Sequence, residues 1–147
     1  MSAPRGARAE PNAERGARNV ITRCLRAEPY ERVHVICYRA DALYPLFARV
    51  IEEAGATPVR VYADRERGFA LDIDAIEAAI TPRTRAIIVN SPHNPSGRIY
   101  GPDVLANLGT VLETASARND RRIYLLSDEA YNRIVFEPHT FTTPLAH

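Results

Sequence analysis

Residues 85–97 read Arg-Ala-Ile-Ile-Val-Asn-Ser-Pro-His-Asn-Pro-Ser-Gly, an apolar run that ends in a loop of asparagine, proline and glycine. The run at 85–90 has the length and the β-branched content of a buried strand. In an open parallel sheet, ligands bind beyond the carboxyl ends of the strands. The polar loop that follows this strand is therefore the first candidate for a binding site.

Strands and helices are predicted to alternate on both sides of this stretch. The apolar patterns predict strands at 33–38, 58–62, 85–90 and 122–127, and helices at 41–53, around 73–80 and from Pro102 onward. Apolar side chains spaced i, i+3, i+4 and i+7 mark the helices, and Asp72 or Asp74 is placed to cap the second one. Such alternation predicts an α/β fold, with a mostly parallel sheet and helices on both of its faces.

A second polar segment, Ser127-Asp128-Glu-Ala-Tyr131, follows the strand at 122–127. Both polar segments therefore lie at carboxyl ends of strands, within reach of one bound molecule. Each alone is compatible with an ordinary turn or a helix cap. In this order, with one helix and one strand between them, they resemble two cofactor motifs of the fold-type-I, pyridoxal-phosphate-dependent aminotransferases of class I/II. The resemblance extends over about residues 42–137 and covers the first part of that family's large domain.

The resemblance implies pyridoxal 5′-phosphate as cofactor and gives three residues a role in binding it. Asp128 would hold the protonated ring nitrogen, because a carboxylate there makes a charge-assisted hydrogen bond. Tyr131 and Asn94 would both bond the 3′ oxygen of the ring. Pro92 and Pro95 restrict the loop that carries Asn94, so its amide would be held in place.

Two further contacts are implied upstream. Tyr44 resembles the aromatic residue that stacks on the cofactor ring, although a half-buried tyrosine at a helix start is the alternative. Gly16 and Ala17 resemble the start of the phosphate-binding turn, where free N–H groups face an anion. Further along, we expect His93 to be a solvent-facing loop residue rather than a catalytic base.

The chain has no lysine, since all 19 of its Lys and Arg residues are arginine. The family uses a lysine, downstream of the aspartate motif, to hold the cofactor as a Schiff base. No catalytic residue is therefore assigned, and we expect the isolated chain to be inactive. The implied reaction is transfer of an amino group between an amino acid and a 2-oxo acid. A non-catalytic truncated fragment, a related fold-type-I lyase or cyclase, and an unrelated doubly wound ligand-binding module are the alternatives.

Composition limits the setting and the partners. Residues 1–19 are predicted to be an Arg-rich, flexible lead-in, and residues 20–147 a partial large domain. A net charge of +1 gives no reason to expect nucleic acid as a partner, and the sequence has no apolar run of membrane-spanning length. Two cysteines and four histidines without ligand spacing predict neither a disulfide framework nor a metal site. We expect a cytoplasmic protein with small-molecule substrates, and the resemblance implies a homodimer.

Overall fold

The described part of the chain forms a four-stranded parallel sheet with helices between the strands. A computed structural model describes residues 34–39 and 44–144, with the backbone alone up to residue 46. The elements are β1 (His34–Arg39), α1 (Tyr44–Glu53), β2 (Thr57–Tyr62), α2 (Ile73–Ala79), β3 (Thr84–Asn90), α3 (Pro102–Arg118) and β4 (Tyr124–Asp128). The order across the sheet is β2-β1-β3-β4, and every neighbouring pair is parallel. The predicted α/β class is confirmed, with strand bounds that differ by one or two residues.

Strand β3 lies inside the sheet and contributes side chains to both faces. Ile87 and Val89 belong to the larger apolar cluster, which α2 and α3 cover, whereas Ala86 and Ile88 belong to a second cluster with α1. Successive side chains of a strand point to opposite faces, so one short apolar run fills both layers. The prediction of helices on both faces is therefore confirmed.

Local sequence signals mark several of the helix ends, although α1 begins at Tyr44 rather than at residue 41. Asp72 is the N-cap of α2, and its side chain accepts a hydrogen bond from the Ala75 N–H at 2.9 Å. Gly55, just after α1, has φ of 79°, a left-handed conformation that glycine adopts without steric cost. Pro102 occupies the first turn of α3, where its missing N–H costs no helical hydrogen bond. None of the described helices combines the length and the hydropathy needed to cross a membrane.

Candidate functional site

The carboxyl ends of β3 and β4 lie side by side and are joined by hydrogen bonds. Asn90 is paired with Asp128 in the register of the two strands. The side-chain amide of Asn90 donates to the backbone oxygen of Asp128 at 3.0 Å, and the Ser91 N–H donates to the same oxygen at 3.0 Å. The two polar segments found in the sequence are thus brought to one edge of the sheet.

Asn94 connects the loop after β3 to the segment after β4. Its backbone N–H donates to Asn90 Oδ1 at 2.7 Å, which holds the loop against the end of its own strand. Its side-chain Nδ2 donates to the phenol oxygen of Tyr131 at 2.7 Å. The peptide bond between Asn94 and Pro95 is cis. Two side chains predicted to share one ligand atom are therefore in direct contact.

Asp128 is half-buried at the end of β4, and its carboxylate takes part in the turn that follows the strand. Its Oδ1 accepts a hydrogen bond from the Ala130 N–H at 3.3 Å, which forms an Asx turn. The next residue, Glu129, accepts bonds on a single oxygen from the Ser127 hydroxyl at 2.9 Å and the Thr143 hydroxyl at 2.6 Å. Glu129 thereby ties the far end of the 131–143 segment back to β4.

A cavity of about 400 Å³ lies between the Asn94 loop and the segment after Tyr131. Asn94 and Tyr131 both contribute to its wall, which is otherwise mainly apolar; Pro92, Ile99 and Phe136 are among its lining residues. Asp128 is not among the residues that line this cavity. Tyr131 itself is 38% exposed and remains accessible to a ligand at the sheet edge.

The prediction for His93 was wrong. Its side chain is only 3% exposed, and its ring packs near Phe69 and Tyr100, with centroid distances of 6.0 and 6.5 Å. A hydrogen bond of 2.6 Å joins its Nδ1 to the Ser96 hydroxyl. The imidazole is directed inward because the loop folds back on itself between residues 93 and 98, which the local sequence does not reveal.

Burial lowers the pKa of His93 below its ordinary value, because the charged imidazolium is poorly solvated there. Below about pH 6.5 the unfolded chain binds a proton at His93, whereas the folded protein binds that proton only at a lower pH. We therefore expect the free energy of unfolding to fall as the pH drops below that value, and His93 to contribute no pH dependence well above it. Chemical denaturation across this range should give a shallower pH slope for His93→Gln than for the wild type. The same pH slope in both proteins would contradict the conclusion that burial lowers the pKa of His93.

Three predicted contacts cannot be located. The backbone of Tyr44 begins α1, but its side chain lies outside the described residues, as do Gly16, Ala17 and the predicted lead-in at 1–19. Stacking on the ring and binding of the phosphate therefore stay predictions. Within the described part of the chain, no group of three or more His, Cys, Asp or Glu residues is arranged to hold a metal ion.

Sequence reasoning assigned no role to Asn90 or Glu129, although both organise the site. Asn90 is the polar residue that ends an otherwise apolar strand, and this position at the carboxyl end could have marked it as a site residue. Its two hydrogen bonds, to Asp128 and to Asn94, depend on the register with β4 and could not be read locally. Glu129 binds Thr143 across fourteen residues of loop, and no periodic pattern marks such a contact.

Known proteins with similar sequences and structures are aminotransferases. The family model for aminotransferase class I and II matches residues 15–146. A probable N-succinyldiaminopimelate aminotransferase from Mycobacterium tuberculosis is 42% identical over 107 residues, which is 72% of this chain and 25% of that protein. An aspartate/prephenate aminotransferase from Cereibacter sphaeroides is 45% identical over 91 residues, 62% of this chain and 22% of that protein.

The crystal structure of an aminotransferase from Eubacterium rectale aligns with a TM-score of 0.79 at 31% identity, over 90% of this chain and 32% of that one. The chain thus spans about a quarter of the length of the curated relatives it matches. The match of the family model over nearly the whole chain agrees with the parallel sheet and with the two polar segments at its carboxyl edge. The chain belongs to the class I and II aminotransferase family.

Proposed function

We propose that the carboxyl edge of β3 and β4 binds pyridoxal 5′-phosphate, as part of an aminotransferase that passes an amino group between an amino acid and a 2-oxo acid. The observation that carries this proposal is the 2.7 Å contact between the Asn94 amide and the Tyr131 phenol, beside the strand end that presents Asp128. Three polar groups of different chemistry thus meet at one sheet edge, where parallel sheets bind their ligands.

The chemistry of Asn94 and Tyr131 fits the oxygen on the cofactor ring. An amide N–H₂ offers two donors, and a phenol offers one donor together with acceptor capacity. The Asn94 amide uses one of its donors on the Tyr131 oxygen, so the second amide N–H and the phenol O–H are available to a ligand oxygen between them. An anionic oxygen placed there would receive two hydrogen bonds, one from the Asn94 amide and one from the Tyr131 hydroxyl.

Asp128 supplies the charge that this cofactor needs. When bound, pyridoxal phosphate withdraws electrons from the substrate carbon, most strongly when its ring nitrogen is protonated. A carboxylate at that nitrogen favours the protonated form by a charge-assisted bond. The Asx turn uses Asp128 Oδ1, and no described residue is seen to bond Oδ2, which is therefore free to face the ring. Asp128 would hold the proton on the nitrogen without taking it.

The remaining contacts of the proposed site come from the amino-terminal part of the chain. Tyr44 would lie flat against the ring, and the N–H groups at Gly16 and Ala17 would face the phosphate. Because residues 15–146 match the family model, these positions fall inside the family's domain. Their roles rest on the sequence motifs alone.

The 147 residues cannot link the cofactor through a lysine, because they contain none. We therefore propose that these residues bind and orient the cofactor and do not complete the transfer by themselves. The relatives include a probable N-succinyldiaminopimelate aminotransferase and an aspartate/prephenate aminotransferase, whose names indicate different substrates. The proposal accordingly stops at amino acids and 2-oxo acids as a class, with a cytoplasmic homodimer as the proposed setting of the whole protein.

Removing the hydroxyl group of Tyr131 should weaken cofactor binding without unfolding the protein. A neutral hydrogen bond contributes roughly 0.5–1.5 kcal/mol, so Tyr131→Phe should raise the Kd for pyridoxal 5′-phosphate roughly two- to tenfold. Isothermal titration calorimetry of the chain with the cofactor measures this directly. The matched control is Tyr124→Phe, which removes a tyrosine hydroxyl at the opposite end of β4 and should leave Kd unchanged. A wild-type chain that does not bind the cofactor would refute the proposal.

A further inference from the structure

His93 connects the loop that carries Asn94 to the interior of the domain. Its ring lies among the side chains of Phe69 and Tyr100, and Tyr100 is itself almost fully buried in the cluster beneath α3. The Tyr100 hydroxyl donates to the backbone oxygen of Phe69 at 3.5 Å, so the two residues that flank the His93 ring are also joined to each other. The imidazole is therefore buried beside these two rings.

The same residue makes three bonds across Asn94 to the residues that follow it. His93 Nδ1 and the Ser96 hydroxyl are 2.6 Å apart. The His93 N–H donates to the Arg98 oxygen at 2.8 Å, and the His93 oxygen accepts from the Gly97 N–H at 2.7 Å. Asn94 and Pro95 thus form the tip of a closed loop whose two sides are joined at His93.

Asn94 makes contacts of its own. Its backbone N–H donates to Asn90 and its side-chain amide donates to Tyr131, both at 2.7 Å, whereas the His93 ring lies beside Phe69 and Tyr100. Because the two residues are adjacent, a shift of the His93 backbone also moves the backbone of Asn94. The side-chain bond to Ser96 is the part of this arrangement that depends on the identity of residue 93, since any residue could supply the backbone bonds.

We propose that His93 is a positioning residue for the ligand bound at this edge: its hydrogen bond to Ser96 closes the loop and directs the Asn94 amide toward Tyr131. The inference rests on the proposed function, because it assigns to His93 the orientation of a group that contacts the cofactor. His93 itself does not touch the ligand in this account. The burial that lowers the pKa of His93 is consistent with a role for the neutral ring.

Ser96→Ala tests the proposal with little disturbance, because Ser96 is only half-buried. The variant removes the partner of His93, together with a 3.3 Å bond from the Arg98 N–H. We expect the Kd for pyridoxal 5′-phosphate, measured by calorimetry on the full chain, to rise roughly two- to tenfold. Ser96→Thr keeps the hydroxyl and should bind like the wild type. His93→Phe keeps an aromatic ring in the pocket but loses the bond, and should match Ser96→Ala.

A double-mutant cycle with Asn94→Ala separates positioning from general stabilisation. If the bond between His93 and Ser96 acts through Asn94, Ser96→Ala should have no further effect on Kd once the Asn94 amide is gone. Ser116→Ala is the control: it removes a serine whose hydroxyl accepts a bond from the Ile123 N–H at the other end of the sheet. That variant should lower stability and leave Kd unchanged.

The outcomes distinguish the two proposals. Equal effects of Ser96→Ala with and without the Asn94 amide would overturn the positioning role, and so would the absence of any effect. Either result, together with cofactor binding by the wild type and weaker binding by Tyr131→Phe, would leave the proposed function intact. No binding by the wild type would overturn both.

Discussion

Asp128→Asn should weaken the binding of pyridoxal 5′-phosphate roughly ten- to a hundredfold, the largest effect we expect from any single polar substitution at the site. The amide has the shape of the carboxylate but carries no charge, so the bond to a protonated ring nitrogen loses its charge assistance. Hydrogen bonds to charged groups contribute about 1.5–3 kcal/mol, and each 1.4 kcal/mol changes Kd about tenfold. Calorimetry with the full chain and the free cofactor measures the change.

The matched control for Asp128→Asn is Asp120→Asn. Asp120 is exposed in the turn between α3 and β4, at the opposite end of the strand, and has φ of 47°, which asparagine also tolerates. This variant should bind the cofactor like the wild type. A similar loss of affinity in both variants would show that overall charge, rather than a contact at the ring, governs binding.

Ile87→Ala should lower the free energy of unfolding by about 2–5 kcal/mol, the cost of a cavity around a fully buried aliphatic side chain. Ile87 is 0% exposed and lies on the face of β3 that α2 and α3 cover. Domains of this size have only about 5–15 kcal/mol of stability, so the loss would be a large part of the total. Urea denaturation followed by circular dichroism should show a lower midpoint with a similar slope.

Ile134→Ala removes the same atoms from an exposed position. Ile134 is 61% exposed in the segment after β4, and its truncation should change stability by no more than about 0.5 kcal/mol. Comparable losses at both positions would mean that β3 does not lie in the interior of the sheet. The parallel arrangement that places Asn94 beside Tyr131 would then be wrong as well.

Much of the fold was predictable because its local signals agree with its tertiary structure. The run at 85–90 is short, β-branched and continuous, as expected for a strand buried on both faces, and β3 spans Thr84–Asn90. Asp72 was one of two candidate caps, and its side chain makes the bond. The positions of Asn94 and Asp128 at one edge followed from strand ends alone, since the carboxyl ends of parallel strands share an edge.

The inward orientation of His93 was not predictable for a physical reason. Its neighbours in sequence are proline, asparagine and serine, which are typical of exposed turns. The groups that bury it are Phe69, from the turn before α2, and Tyr100, just before α3. Only the folded chain brings these rings to the loop. The bonds of Asn90 likewise required the register between β3 and β4, which no local pattern specifies.

The most direct measurement of the central claim is the protonation of the cofactor ring nitrogen in the bound state. Pyridoxal 5′-phosphate labelled with ¹⁵N in the ring can be titrated with pH by NMR, bound to the wild type and to Asp128→Asn. We predict that the nitrogen keeps its proton to a higher pH in the wild type, because the Asp128 carboxylate stabilises the charged ring. The same titration midpoint in both proteins would contradict the claim that Asp128 holds the ring nitrogen.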